Sequence, residues 1–139
     1  MKKVFGNETN VAYDDDIAVM FGEVAKRHIA APRGFRPLQK VTHTGHAGVE
    51  GDGPFMILSL HVEAGKVTDA GFKTMGCPSS IACGSLVCEL CIGRQTDQLA
   101  NLDAKDLILI LGGLPEGKEH CAALAATSLK DALNKLEEY

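Results

Sequence analysis

V-T-D-A-G-F-K-T-M-G-C, Val67 to Cys77, followed by P-S-S-I-A-C, Pro78 to Cys83, decides how this chain folds. The first part reads as a strand that closes at Gly76-Cys77. The second reads as a helix that begins at once with Pro78. Proline suits a first helical position, where its fixed φ fits and its missing N–H is not needed. Ser79 and Ser80 follow as small residues able to bond free amides. Cys77 is thereby placed at the positive end of a helix dipole, a setting expected to lower its pKa and favour the thiolate. The same position also suits a small buried hydrophobe in a strand-to-helix turn.

Upstream of this stretch, Met56, Leu58, Leu60 and Val62 alternate along Phe55 to Val62, so one face of a strand is apolar. E-A-G-K supplies a hairpin turn with Gly65 in the tight position, and Val67 to Thr74 returns as the paired strand. Leu38 to Gly53 is extended or looped. Residues 1–12 read as a loose leader, and Asp14, Asp15 and Asp16 cap a predicted helix over 15–30. Ile17, Met20, Phe21, Val24 and His28 give that helix its apolar spacing, and A-A-P-R-G-F-R-P breaks it.

Downstream, a helix over 78–92 carries a stripe of Cys83, Leu86, Val87 and Leu90. G-R-Q-T-D ends it, and a short helical turn runs from Thr96 to Leu99. Asp103 to Leu111 is predicted helical and stops at Gly112-Gly113. A long final helix follows from about Lys118 to the end, striped by Ala122, Ala125, Ala126, Leu129, Leu133 and Leu136. The pattern predicts an α+β fold: a three-stranded antiparallel sheet covered on one face by helices, forming a single domain over 1–139.

Composition narrows the function classes. At 139 residues and 45% hydrophobic, the chain suits one core. A net charge of −4, 5% aromatics and no Trp argue against a nucleic-acid partner. M-K-K-V-F-G-N-E-T-N lacks the apolar run of a secretory signal, and the longest apolar run, Leu107 to Leu111, is too short for a membrane span. A cytoplasmic location without a membrane partner is the expectation. Of the five cysteines, four lie between Cys77 and Cys91. In a reducing compartment such residues bind metal, react or pack in the core more often than they form disulfides.

His120-Cys121 opens the last predicted helix and repeats the electrostatic setting of Cys77, now with an imidazole beside the thiol. Neighbours on a helix point about 100° apart, so both reach one metal only if the first turn is irregular. Asp52, between Gly51 and Gly53, is a carboxylate with room for close backbone approach, and equally an ordinary turn aspartate. Cys83 and Cys91 lie on or beside the apolar stripe and read as core. Cys88 lies off it and is expected to be the most exposed of the three. It stands eleven residues past Cys77, about 16 Å along a helix, too far to share a two-iron cluster. Cys88-x-x-Cys91 also sits late in its helix, whereas redox pairs use a helix start.

Five segments in order resemble the U-type iron–sulfur cluster scaffold family, the domain shared by IscU, SufU and NifU. They are Phe21 to Gly34, Gly45 to Gly53, Gly65 to Cys77 with S-I-A following, D-A-K-D-L, and L-P-E-G-K-E-H-C-A-A-L-A, Leu114 to Ala125. The resemblance implies a scaffold or carrier rather than an enzyme. It would receive sulfur from a cysteine desulfurase, bind iron, build a labile, transient [2Fe–2S] cluster and pass it to apo iron–sulfur proteins. It implies Cys77, His120 and Cys121 as ligands, with Cys121 the candidate persulfide acceptor. The family's first cysteine is missing, and Asp52 occupies its position. Pro54 replaces an aspartate that tunes cluster release, Ala31 an asparagine and Phe21 a tyrosine. The resemblance also suggests a homodimer on cluster binding. An Hsp70-type chaperone is a candidate partner through Leu114 to Lys118. The alternative is a non-assembling relative whose Asp52, Cys77, His120 and Cys121 hold a structural or regulatory zinc. A thiol–disulfide protein using Cys88 and Cys91 stands third.

Overall fold

The computed structural model describes residues 21–75 and 77–134. In chain order it comprises α1 (Glu23–Ala30), β1 (His43–Gly48), β2 (Phe55–Glu63), β3 (Lys66–Thr74) and α2 (Pro78–Cys91). A 3-10 turn (Thr96–Leu99), α3 (Ala104–Leu111) and α4 (Glu119–Asn134) follow. The strands form one antiparallel sheet in the order β1-β2-β3, and the helices cover one face of it. None of these helices is long and apolar enough to cross a membrane.

The hairpin forms as its sequence demands. Met56, Leu58 and Leu60 are buried on one face of β2, and the turn residues Ala64 and Gly65 both take positive φ, 54° and 79°. That is the mirror-type turn whose twist matches antiparallel strands. α3 also starts and stops where its chemistry says. Asp103 accepts from the Asp106 N–H at 3.2 Å, Asp106 accepts from the Asp103 N–H at 3.0 Å, and Gly112 ends the helix at φ 84°.

Two expectations are corrected. Among the described residues the first helix begins at Glu23, because Gly22 is extended and serves as its N-cap. The Asp14–Asp16 cap, Ile17 and Met20 lie outside the described residues. The last helix runs from Glu119 as expected, is described to Asn134, and leaves Leu136 outside the described residues. α2 is not amphipathic. It packs against β3, α1, α3 and α4, and nearly every residue from Ser79 to Cys88 is buried. Cys88, expected to be exposed, is 0% exposed, and a Cβ on Gly34 would lie 2.7 Å from its sulfur. A helix enclosed on several sides has no face left for solvent, and an apolar stripe cannot reveal that.

The layers meet along one row. Gly45 of β1 pairs with Leu58 of β2, which pairs with Phe72 of β3. A Cβ on Gly45 would overlap the α4 backbone at Ser128 and Ala132, and a Cβ on Gly84 would overlap the Phe72 ring. Glycine at both positions lets α4 and α2 lie directly on the sheet. Gly45→Ala is therefore expected to destabilise the fold by about 3 kcal/mol or more in urea unfolding, since the clash is with backbone that cannot rotate away. A loss below about 1 kcal/mol would show that α4 is free to lift from β1.

A buried polar chain ties α1 to α2. Ser85 Oγ accepts from the Arg33 N–H at 2.7 Å and lies 2.6 Å from His28 Nδ1. The hydroxyl has a second lone pair, so the direction of its bond with Nδ1 follows the tautomer of the ring. Nε2 faces Glu89 Oε1 at 3.0 Å, close enough to interact as charges but off the line of a hydrogen bond. Burial lowers the His28 pKa below its ordinary 6.5; Glu89 opposes this, while Arg27 and Arg33 reinforce it. The native state therefore binds the proton less readily than the unfolded chain. The stability contributed by neutral His28 is complete above 6.5 and is lost as pH falls from there toward the lowered native value. Comparison of urea unfolding for the wild type and His28→Gln should show a stability difference that narrows from pH 6.5 downward. A difference independent of pH would contradict neutral burial of this ring.

Candidate metal and sulfur site

Two helix starts build the site. Cys77 stands at the N-cap of α2 with extended backbone, φ −62° and ψ 136°, and Pro78 occupies the first turn as its chemistry favours. Its carbonyl accepts the Ile81 N–H at 2.9 Å, so the helix closes regularly around a half-buried thiol. Across from it, Cys121 lies in the first turn of α4, where its N–H bonds the Lys118 carbonyl at 3.0 Å. That bond spans three residues rather than four, which tightens the turn. In this tightened turn His120 Nε2 lies 3.7 Å from Cys121 Sγ, so the two adjacent donors sit close together.

The two thiols differ in environment. Cys121 is 1% exposed, and burial pushes its pKa up. The Ser80 hydroxyl, donating to Cys121 Sγ at 3.3 Å, opposes that rise, whereas Cys77 is close enough to add to it. The expectation that a helix start lowers this thiol's pKa is thus overturned at Cys121, where desolvation outweighs the dipole. Cys83 is buried one turn beyond Ser80, and its thiol is pushed up to about 12 by burial, with Cys121 and Cys77 contributing. Cys91 is likewise pushed up to about 12, and Cys88 further still, so this pair is chemically inert packing.

Asp52 is exposed on the β1–β2 loop, where its N–H bonds the Val49 carbonyl at 3.0 Å. Gly51 and Gly53 on either side take φ of 90° and 93°. A cavity of about 400 Å³ separates this loop from α4, lined by Gly48 and Pro54 on one side and by His120 and Leu124 on the other. The structure thus places Cys121 with His120 and near Cys77, and does not bring Asp52 to them. Among the described residues no group of three or more His, Cys, Asp or Glu converges tightly enough to hold a metal ion. The donors are chemically suited to iron, two sulfurs and an imidazole, and convergence would have to come with the metal.

Sequence reasoning missed Ser80 as a partner of Cys121. The serine is visible at the start of α2, but its partner lies 41 residues away.

Comparisons with known proteins agree with this architecture. Residues 20–139 match the family model described as the NifU-like N terminal domain. The chain is 37% identical over 118 residues to the iron–sulfur cluster assembly enzyme IscU of Drosophila melanogaster, covering 82% of this chain and 76% of that one. It is 33% identical over 115 residues to the iron–sulfur cluster assembly scaffold protein IscU of Aquifex aeolicus, covering 81% and 73%. It is 32% identical over 123 residues to the nitrogen fixation protein NifU of a Nostoc species, covering 87% of this chain but only 40% of the relative's length. Among solved structures, the N-terminal part of a NifU-like protein from Brucella abortus superposes with a TM-score of 0.65 at 17% identity, covering 88% of this chain and 97% of that one.

Proposed function

Since the chain belongs to the NifU-like N terminal domain family, we propose that it is a scaffold on which iron–sulfur clusters are assembled, a carrier rather than a turnover enzyme. The observation that carries this reading is the meeting of two helix starts, which sets the Cys77 and Cys121 thiols near each other with His120 Nε2 3.7 Å from Cys121 Sγ. A cysteine desulfurase delivers sulfane sulfur to Cys121. Two iron(II) ions are gathered by Cys77 and His120 with Asp52 from the loop, and two sulfane sulfurs delivered in turn become bridging sulfides, with two of the four electrons coming from a reductant and two from the irons as they become iron(III). The product is a [2Fe–2S] cluster destined for apo-proteins. A carboxylate is a harder and weaker ligand for iron than thiolate, so Asp52 in place of a third cysteine suits a cluster meant to leave.

Anaerobic reconstitution with iron and sulfide, followed by visible absorbance and by iron and sulfide analysis, tests the site. Cys77→Ser and Cys121→Ser are each expected to abolish cluster retention. Cys83→Ala should retain the cluster and lose only about 1 kcal/mol of stability, as a small buried side chain would. An unchanged spectrum in Cys77→Ser would sink the assignment. A colourless protein that keeps one zinc and refuses sulfide would favour the structural zinc reading instead. The decay half-life of the cluster then reports on Asp52. Asp52→Cys should lengthen it through a softer, stronger donor, and Asp52→Ala should shorten it by admitting water. Equal half-lives in all three proteins would make Asp52 a turn residue only.

A further inference from the structure

The hydroxyl of Ser80 is one of the few polar groups in the packed layer between α2 and α4, and it is spent on a sulfur. Ser80 is 5% exposed, and its Oγ donates to Cys121 Sγ at 3.3 Å, while His120 Nε2 lies on the same sulfur at 3.7 Å. A serine in the first turn of a helix ordinarily serves a local amide, so a donor directed across to another helix is a specific arrangement. We infer that Ser80 is a positioning residue for sulfur transfer, holding Cys121 Sγ in the orientation from which it accepts a sulfane sulfur. This inference rests on the scaffold reading above.

The chemistry is balanced without an added oxidant. Cys121 Sγ attacks the outer sulfur of a donor persulfide, a new S–S bond forms on Cys121, and the donor's S–S bond breaks. The donor sulfur leaves with the bonding pair and takes up the proton that Cys121 gives up, so the sulfane sulfur changes carrier with no net oxidation or reduction. Attack needs Sγ held facing the incoming sulfur. A hydroxyl aimed at Sγ from the facing helix fixes the side-chain rotamer. Cys77 is half-buried at its N-cap and is reached without such help. The bond therefore separates the roles of the two thiols.

The test uses the full chain in five forms: wild type, Ser80→Ala, Ser80→Thr, Ser80→Val and Cys121→Ser. Each is exposed anaerobically to glutathione persulfide, and persulfide formation at Cys121 and at Cys77 is followed by peptide mass. Thr and Val share a shape and differ by the hydroxyl, so any packing change from the larger side chain cancels between them. Ser80→Ala and Ser80→Val are expected to load Cys121 about tenfold more slowly than their hydroxyl-bearing counterparts, with loading of Cys77 unchanged. Equal rates within both pairs, or equal slowing at Cys77, would overturn the positioning role. If wild-type Cys121 takes up no sulfur while Cys77 does, Cys121 is not the acceptor and the Ser80 role falls with it.

Discussion

How closely two helix backbones approach one sheet governs everything that matters in this protein. The row Gly45–Leu58–Phe72 crosses all three strands, with a missing side chain on the sheet at β1 and a missing side chain on the helix, Gly84, opposite β3. Between them stands Leu58, fully buried. The absent Cβ atoms let α4 settle on β1 and let α2 settle on Phe72. Because Cys77 caps α2 and His120-Cys121 opens α4, the same two contacts also bring the thiols together. Packing and site are therefore one constraint: a change that lifts either helix moves a candidate thiol as well as opening the core.

The price of that closeness is desolvation. Helix starts favour thiolates, but the site lies in a layer so well packed that burial prevails at Cys121 and its pKa rises. The Ser80 hydroxyl and the charge of Lys118 oppose that rise, and His120 Nε2 lies 3.7 Å from the same sulfur. Cys77, half-buried at the edge, meets solvent more readily. The two candidate thiols thus differ in access, one guarded within the packed layer and one open at its edge. Asp52 is exposed on a glycine-flanked loop.

Local chemistry was legible and long-range enclosure was not. Alternation along Met56, Leu58 and Leu60 gave the hairpin, Asp103 and Gly112 bounded α3, and Gly76-Cys77-Pro78 marked the change from strand to helix, because each depends on neighbours in the chain. The burial of Cys88 was hidden, since the residues of α2 read in sequence as a single apolar stripe and only the packing of several other elements encloses the rest. The raised pKa of Cys121 was hidden for the same reason. Ser80 was visible, but its partner is on another helix. The four candidate ligands were readable from the resemblance to a scaffold family. That His120 and Cys121 share a tightened first turn was readable only from the backbone.

X-ray absorption at the iron edge of the anaerobically reconstituted full chain tests the central claim most directly, because it reports the atoms around iron rather than the colour they produce. The expected result is a shell dominated by sulfur together with a short iron–iron vector, both lost in the Cys77→Ser, Cys121→Ser double variant. Iron surrounded only by oxygen and nitrogen, or a spectrum that the double substitution leaves unchanged, would contradict a cluster held between the starts of α2 and α4.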